Sequence, residues 1–308
     1  MVAAHRIMFY ESLLLTTGIC LGAMLVGFVA GALVNDIAWR ITHGRPIFDG
    51  GPYCRRCGES LTLRESIPIL SWLSMRGICP HCGEPLGMDK PMCELLGGGI
   101  FVSAVLRYGI GLQTLEILGV ACVLMTITLA SLWDYHIPNG CIAAAVVIRL
   151  LYLSIAAMMG EDMLPLTVAS LVGSIALGIP LALAVFLSNA MLARDITGMG
   201  TVKLVAVVGL YLGWQQGLIA VACGMLLLFV VWVLSPTKIQ NVEVAGGAHR
   251  DMDESGQRLP SMRDLNATLE EDISEPMRLI PFAPAIALAL WGVLLVGVTP
   301  SVWNAPIF

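Results

Sequence analysis

The chain has 308 residues and a formal net charge of −5, and 57% of its residues are hydrophobic while only 13% are charged. Its mean hydropathy of +0.83 excludes an ordinary soluble domain. Neither a phosphate-binding loop nor a basic patch of the kind that binds nucleic acid stands out. We therefore interpret the chain as a polytopic protein of the lipid bilayer.

Eight apolar runs are long enough, or nearly so, to cross a hydrocarbon core of about 30 Å, the second and sixth being the shortest. The first run has no site typical of signal-peptide cleavage, so we expect it to be retained as a membrane anchor. The runs cover residues 13–34, 95–110, 115–132, 141–158, 164–192, 202–212, 217–234 and 279–298.

Basic residues are concentrated in residues 36–92, which hold seven of the 17 lysines and arginines of the chain. The positive-inside rule places this segment on the cytoplasmic side. Alternation along the chain then places the turns at 131–138 and 194–203 and the polar loop at 235–278 on the same side. We predict five parts: an anchor (1–35), a cytoplasmic cysteine domain (36–93), a helical bundle (94–235), a cytoplasmic loop (236–278) and a last helix with its tail (279–308).

Four cysteines of the second part form two Cys-x-x-Cys pairs, each followed by a glycine: Cys54 with Cys57, and Cys79 with Cys82. Two such pairs, 21 residues apart, can offer four thiolates to a tetrahedral ion, which is typical of a zinc ribbon. Two disulfides are the alternative. A reducing cytoplasm favours the metal, and a closed four-thiolate site predicts a structural zinc ion.

Further motifs surround these cysteines. An Asn closes the first apolar run, Ile-Pro-x-Leu-Ser and Arg-Gly precede the second cysteine pair, and Pro-x-x-Glu enters the next run. Downstream stand "HIPNG", "GMGTVKLVAVVGLYLGW" and "IPFAPAIALA". Together these motifs resemble the type IV prepilin peptidase family over nearly the whole chain except residues 236–276. The first group lies at Asn35, residues 67–71, Arg76, Gly77, Pro91 and Glu94.

The resemblance implies a helical intramembrane aspartic peptidase at the cytoplasmic face of the bacterial inner membrane. Members of the family cleave the short basic leader of type IV prepilins or of the pseudopilins of type II secretion. Many also methylate the new amino terminus from S-adenosylmethionine. The resemblance further implies that Asn35, Glu94, Gly198 and Gly200 help to bind the substrate. The resemblance does not indicate an oligomeric state.

The chain departs from the family at both catalytic positions. The family has one Asp directly after Gly-x-Gly and another seven residues before the Pro of Ile-Pro-Asn, and these positions are Thr201 and Ser131 here. The mechanism needs one carboxylate to activate water and a protonated neighbour to donate to the scissile carbonyl. A hydroxyl titrates too high to take either role near neutral pH.

Three interpretations follow. In the first, the chain keeps the fold, loses hydrolysis and acts as a pilin-binding or assembly factor. In the second, Asp134 and Asp195 act instead, although interfacial acids at helix ends have the same appearance. In the third, Ser131 and Lys203 form a nucleophilic pair. Lys203 also matches the family lysine, which suits either a partner for a carboxylate or a headgroup anchor.

Arg149 falls in the middle of the fourth apolar run, where an isolated charge is costly. We predict that it pairs with an acid or a carbonyl inside the bundle, unless its side chain reaches the interface. The whole pattern predicts an all-α membrane protein of about eight transmembrane helices with a four-cysteine zinc ribbon. The predicted function is that of a prepilin leader peptidase, with an inactive, pilin-binding relative as the alternative.

Overall fold

The computed structural model describes residues 13–47, 53–55, 57–59, 62, 68–134, 137–192, 199–234 and 282–296. These residues form eight helices and no β-strand, apart from isolated bridges such as the antiparallel one between Ile78 and Pro85. The helices are α1 (Leu13–Thr42), α2 (Leu70–Ser74), α3 (Asp89–Tyr108), α4 (Leu112–Asp134), α5 (Asn139–Met158), α6 (Leu164–Leu192), α7 (Met199–Leu234) and α8 (Phe282–Val296).

Five of the described helices are long and apolar enough to cross a membrane: α1, α4, α5, α6 and α7. Helix α8 is apolar but shorter. Every predicted apolar run overlaps a described helix, and the sixth and seventh both lie on α7. The predicted all-α, multi-pass membrane class is therefore confirmed.

The chain divides into two compact units, residues 1–227 with 281–308 and residues 228–280. In the second unit the described residues are the last turns of α7, from 228 to 234. The predicted cytoplasmic loop at 236–278 lies outside the described residues.

Helix α7 is broken at Gly213, whose φ of 71° and ψ of −178° lie in a region that only glycine adopts readily. A methyl group built on Gly217 would lie 3.6 Å from the Cα of Gly209. Residues eight apart in a straight helix are separated by about 12 Å along the axis. The chain therefore folds back sharply at Gly213, and the two halves of α7 correspond to the two predicted runs.

Helices α1 and α3 are in backbone contact at two glycines of α1. A methyl group built on Gly27 would lie 2.5 Å from the carbonyl oxygen of Gly97, and one built on Gly31 would lie 2.3 Å from that of Cys93. Such a close approach needs residues without a side chain, as helix interfaces in lipid commonly show. The contact places the amino-terminal end of α3 beside the carboxyl-terminal end of α1.

An apolar core joins the remaining helices of the first unit. It includes Ile127 of α4, Ala145 of α5, Val208 of α7 and Leu290 of α8, all buried. Helices α6 and α7 also meet through glycines, because a methyl group on Gly173 would lie 2.3 Å from the carbonyl oxygen of Gly209. The bundle is thus held by close packing, the main source of association between helices in lipid.

A buried ion pair crosses this bundle. Arg149 of α5 is 1% exposed, and its Nη1 lies 2.8 Å from Oε1 of Glu116 on α4. Its Nη2 donates to Oγ of Ser170 on α6, at 2.8 Å. Arg149 therefore pairs with an acid inside the bundle, as predicted, and it connects three helices.

Removing one partner of this pair should destabilise the fold strongly. In Arg149→Met the carboxylate of Glu116 stays buried without its cation, and breaking such a pair costs about 3–5 kcal/mol. We expect a marked fall in the thermal unfolding temperature in detergent. The double variant Arg149→Met, Glu116→Met should recover most of it. Glu161→Gln, at an exposed loop acid, serves as control, and equal unfolding of Arg149→Met and wild type would contradict the role of the pair.

The glycine contact between α1 and α3 offers a matched pair of variants. Gly31→Ala places a methyl group against the backbone of α3, and overpacking of this kind costs about 1–3 kcal/mol. Gly22→Ala on the same helix meets no atom within 4 Å. We expect Gly31→Ala alone to lower the unfolding temperature in detergent. Equal stability of the two variants would show that α1 and α3 do not approach this closely.

Candidate functional site

The two cysteine pairs form two nearly identical turns. The N–H of Cys54 donates to the carbonyl of Glu59 at 2.9 Å, and the N–H of Cys79 donates to that of Glu84, also at 2.9 Å. In each turn the glycine that follows the second cysteine, Gly58 or Gly83, has a positive φ of 75° or 72°. The glycines allow the chain to bend back, so that both thiols of each turn face the same way.

These turns bring the four thiols of Cys54, Cys57, Cys79 and Cys82 together. All four sulfur atoms lie within 4.8 Å of one another, and Sγ of Cys54 lies 3.9 Å from that of Cys82. Tetrahedral zinc with bonds of about 2.3 Å separates its sulfur ligands by about 3.8 Å, so the four thiols fit such an ion. No disulfide forms among the nine cysteines, all of which lie in the described residues. This convergence supports the metal interpretation over two separate disulfides.

Asn35 lies near the carboxyl-terminal end of α1 and is fully buried. Its Nδ2 donates to Oδ2 of Asp89 at 3.3 Å and faces Sγ of Cys93 at 3.5 Å, both on α3. Its Oδ1 accepts a hydrogen bond from Nη2 of Arg55, between the first two cysteines. The predicted substrate-binding asparagine is thus the point where α1, α3 and the cysteine insertion meet.

Glu94, one turn into α3, is 1% exposed. Its Oε2 accepts the N–H of Ile69 at 2.6 Å, and Ile69 has a φ of 61°, a strained value for a β-branched residue. Its Oε1 has no hydrogen-bond partner among the described residues. Burial raises the pKa of this carboxyl, which lies before the apolar part of α3, while the Ile69 amide and Lys90 oppose the rise. Glu94 therefore holds the strained turn that precedes α2.

A second group of predicted site residues lies at the end of α4 and the start of α7. Ser131 is buried, Asp134 is exposed and Thr201 is half-buried. Nζ of Lys203 donates to Oδ1 of Asn139 at 2.8 Å, and a methyl group on Gly200 would lie 3.0 Å from Cβ of Ile137. The start of α7 thus touches the Ile-Pro-Asn turn after α4. Asp195 and Gly198 lie outside the described residues.

Arg55 connects the two groups. Its Nη1 lies 2.5 Å from Oδ2 of Asp89, and its guanidinium carbon lies 4.4 Å from the ring centroid of Trp39 on α1 and 5.4 Å from that of Trp133 on α4. Trp133 is two residues after Ser131. One end of the bundle therefore brings together the cysteines, the carboxyl-terminal end of α1 and the carboxyl-terminal end of α4. We call it the cysteine end.

A cavity of about 460 Å³ opens at the cysteine end. Its walls include the aromatic rings of Trp39, Tyr53 and Trp72 and the carboxylates of Asp36 and Asp89. Arg55, which is paired with Asp89, and Lys90 also line the cavity. A site of this size and aromatic character suits a small organic ligand.

Comparison with known proteins identifies the relatives of this chain. The family model described as the Bacterial Peptidase A24 N-terminal domain matches residues 25–108. The prepilin leader peptidase/N-methyltransferase of Bacillus subtilis (strain 168) is 30% identical over 189 residues, which cover 61% of this chain and 72% of that protein. The chain belongs to the prepilin leader peptidase/N-methyltransferase family.

Two other members of the family bear the same name. The one from Dickeya chrysanthemi is 27% identical over 218 residues, covering 63% of this chain and 75% of its own length. The one from Myxococcus xanthus (strain DK1622) is 26% identical over 212 residues, covering 62% of this chain and 55% of its own length. The chain thus matches only about half of the Myxococcus protein. No solved structure matches the chain.

The match to the A24 N-terminal domain runs from the middle of α1 to the end of α3, so it spans the whole cysteine insertion. In this member of the prepilin leader peptidase/N-methyltransferase family, our sequence analysis singled out the thiols but missed Arg55, Asp89, Trp39 and the contact made by Trp133. One local signal was available, the unusual pair of arginines between Cys54 and Cys57.

Metal analysis tests the four-thiol site. We expect the purified family member to carry one zinc ion per chain and Cys79→Ser to lose most of it, because a three-thiol site with a weaker oxygen donor holds the ion poorly. Cys122→Ser, in the apolar part of α4, should retain the ion. Elemental analysis of the purified variants gives the stoichiometry. Full zinc occupancy in Cys79→Ser would contradict the assignment.

Proposed function

We propose that this chain binds the basic leader of a type IV prepilin or pseudopilin at the cytoplasmic face of the bacterial inner membrane, without cleaving it by a two-aspartate mechanism. One observation carries the proposal: the cysteine end keeps its four thiols together and connects Asn35 to Arg55, Asp89 and Cys93, while hydroxyls stand at the two positions that the resemblance assigns to the family aspartates. The names of the relatives supply the class of substrate.

Hydrolysis by the family mechanism requires a pair of carboxyl groups with opposite roles. Ser131 and Thr201 supply none, and Ser131 is only 4% exposed. Losing a single member of such a catalytic unit commonly costs on the order of 10⁴ in rate. Two losses together leave recognition of the prepilin as the function that the remaining residues support.

Charge at the cysteine end supports binding of a basic peptide. The cavity is lined by three acids, Asp36, Glu84 and Asp89, and by two basic residues, Arg55 and Lys90. Because Arg55 is paired with Asp89, the acids that remain outnumber the basic residues. Complementary charge speeds the encounter with a partner and selects it. The basic loop residues favour the cytoplasmic side.

The ion is proposed to be zinc, since four thiolates in a tetrahedron favour zinc or an iron–sulfur centre and a single compact group of four suits one ion. Bound there, zinc would hold the two cysteine turns together in an insertion too short to build its own core. Cys54, Cys57, Cys79 and Cys82 would be its ligands.

Methyl transfer is a second candidate function, and the cavity favours it. The relatives' name includes N-methyltransferase, and S-adenosylmethionine is the methyl donor that the resemblance implies. Its sulfonium charge and adenine ring match a cavity that offers carboxylates and aromatic faces. Asp36 and Trp39 would then bind the donor, and the methyl acceptor would be the amino terminus of a pilin whose leader a separate peptidase has removed.

A prepilin assay separates binding from cleavage. We expect membranes that contain the wild-type chain to leave a prepilin at full length, while the purified chain retains that prepilin in detergent pull-downs. Restoring both carboxyl groups, with Ser131→Asp and Thr201→Asp, should give leader removal visible as a gel shift. Ser131→Asn with Thr201→Asn is the matched control, because it changes size and polarity without adding an acid.

Two results would overturn the proposal. Cleavage by the wild type that Asp134→Asn abolishes would identify Asp134 as a substitute catalytic acid, with Asp195 as its candidate partner. Failure of the wild-type chain to retain any prepilin, including one whose leader keeps all its lysines and arginines, would exclude binding.

A further inference from the structure

Arg55 has an unusual position, because it lies next to a metal-ligating cysteine and yet touches three helices. Its Nη1 pairs with Asp89 on α3, its Nη2 donates to Asn35 on α1, and its guanidinium lies against Trp39 on α1 and Trp133 on α4. The two tryptophan rings meet edge to face, with centroids 5.7 Å apart. A single side chain of the cysteine insertion thus joins the ends of α1, α3 and α4.

These contacts hold Arg55 in place more strongly than an ordinary surface ion pair would. The side chains of Arg55 and Asp89 are 26% and 28% exposed, so water screens them only in part. The planar guanidinium bonds two different residues in its own plane and offers its face to aromatic rings, which an ammonium group does not reproduce. An exposed single ion pair, by contrast, contributes little.

The position of Arg55 in the chain links these contacts to the ion. Cys54 precedes it directly and Cys57 follows two residues later, so an ion held by both thiols fixes the backbone on either side of Arg55. A side chain on a fixed backbone loses less entropy when it binds. Metal binding and the contacts of Arg55 should therefore favour each other, and such coupling acts equally in both directions.

We propose that Arg55 is a positioning residue through which the ion bound by the four cysteines orders the cysteine end of the bundle. With the ion in place, Arg55 is held on Asn35 and Asp89 and packs against Trp133, in the last turn of α4. The same end of α4 carries Asp134, and Ser131 lies three residues before Asp134. The proposal rests on the proposed function in one respect, that this end of the bundle receives the prepilin.

Zinc affinity of the full-length chain in detergent, measured by competition with a chelator, tests the coupling. Couplings between sites typically change affinity about 5- to 150-fold. We expect Arg55→Ala to weaken zinc binding about tenfold, and Arg55→Lys to give an intermediate loss. Arg56→Ala removes the same charge from the next position in the sequence, and it should stay near the wild-type affinity.

A variant far from the thiols makes the test specific. Trp133→Leu lies on α4, so its effect on zinc binding has to pass through the residues that touch Trp133. We expect it to weaken zinc affinity severalfold, and the double variant Arg55→Ala, Trp133→Leu should be no weaker than Arg55→Ala alone, since both remove one interaction. Circular dichroism of each variant checks that its helices are intact.

Fluorescence reports the same link without any prepilin. The contribution of Trp133 is the difference between the wild type and Trp133→Phe, and it should change when zinc is removed. In the Arg55→Ala background that change should be lost. Unaltered zinc affinity in both Arg55→Ala and Trp133→Leu, or a Trp133 signal insensitive to zinc in the wild type, would overturn the proposal. Because neither readout uses a prepilin, these outcomes are independent of the proposed function.

Discussion

The contact between the backbones of α1 and α3 is the constraint on which the cysteine end depends. Gly27 and Gly31 let α3 approach until its carbonyl groups touch α1, a distance that any side chain would prevent. At this separation the short side chain of Asn35 reaches both Asp89 and Cys93. The cysteine insertion leaves α1 and returns at α3, so the same contact fixes the two points between which it has to fold. A looser interface would move the Nδ2 of Asn35 away from Asp89 and Cys93.

In a membrane protein, buried polar groups that stabilise the fold can be told apart from those at a functional site by their hydrogen bonding. Arg149 and Glu116 satisfy each other in the bundle, with Ser170 completing the arrangement, and such a satisfied group has nothing left to offer a ligand. Glu94 is buried to the same degree but keeps one carboxyl oxygen without a partner among the described residues, and its other oxygen holds a strained turn. Strain and unsatisfied polarity of this kind are found together at functional sites. The difference lies in the bonding of the two acids and not in their burial.

Sequence reasoning succeeded where a feature depends on neighbours along the chain. The four thiols were predicted because two short turns are local and their spacing defines them, and the helices were predicted because lipid demands long apolar runs. The sequence also predicted that Arg149 needs a partner, but Glu116 is 33 residues away and nothing local identifies it. The contacts of Arg55 were missed for the same reason, since Asp89 and Trp133 become its neighbours only after α1, α3 and α4 have packed. The sequence predicted two apolar runs where the structure has α7, and Gly213 has the non-helical backbone geometry that separates them.

Ser131 and Thr201 stand at the positions that the resemblance assigns to the family aspartates, and hydroxyls there are compatible with the proposed binding role. Ser131 is 4% exposed, so a carboxylate at this position would lose most of its hydration. A catalytic site tolerates this cost because the chemistry requires the acid, whereas a binding surface gains nothing from it. A serine at position 131 therefore avoids a source of instability two residues before Trp133, where Arg55 of the cysteine insertion contacts α4. In the proposed function, recognition of a leader depends on the shape and charge of this end, and the contacts that order it are those of Asn35 with Asp89 and the grouping of the four thiols.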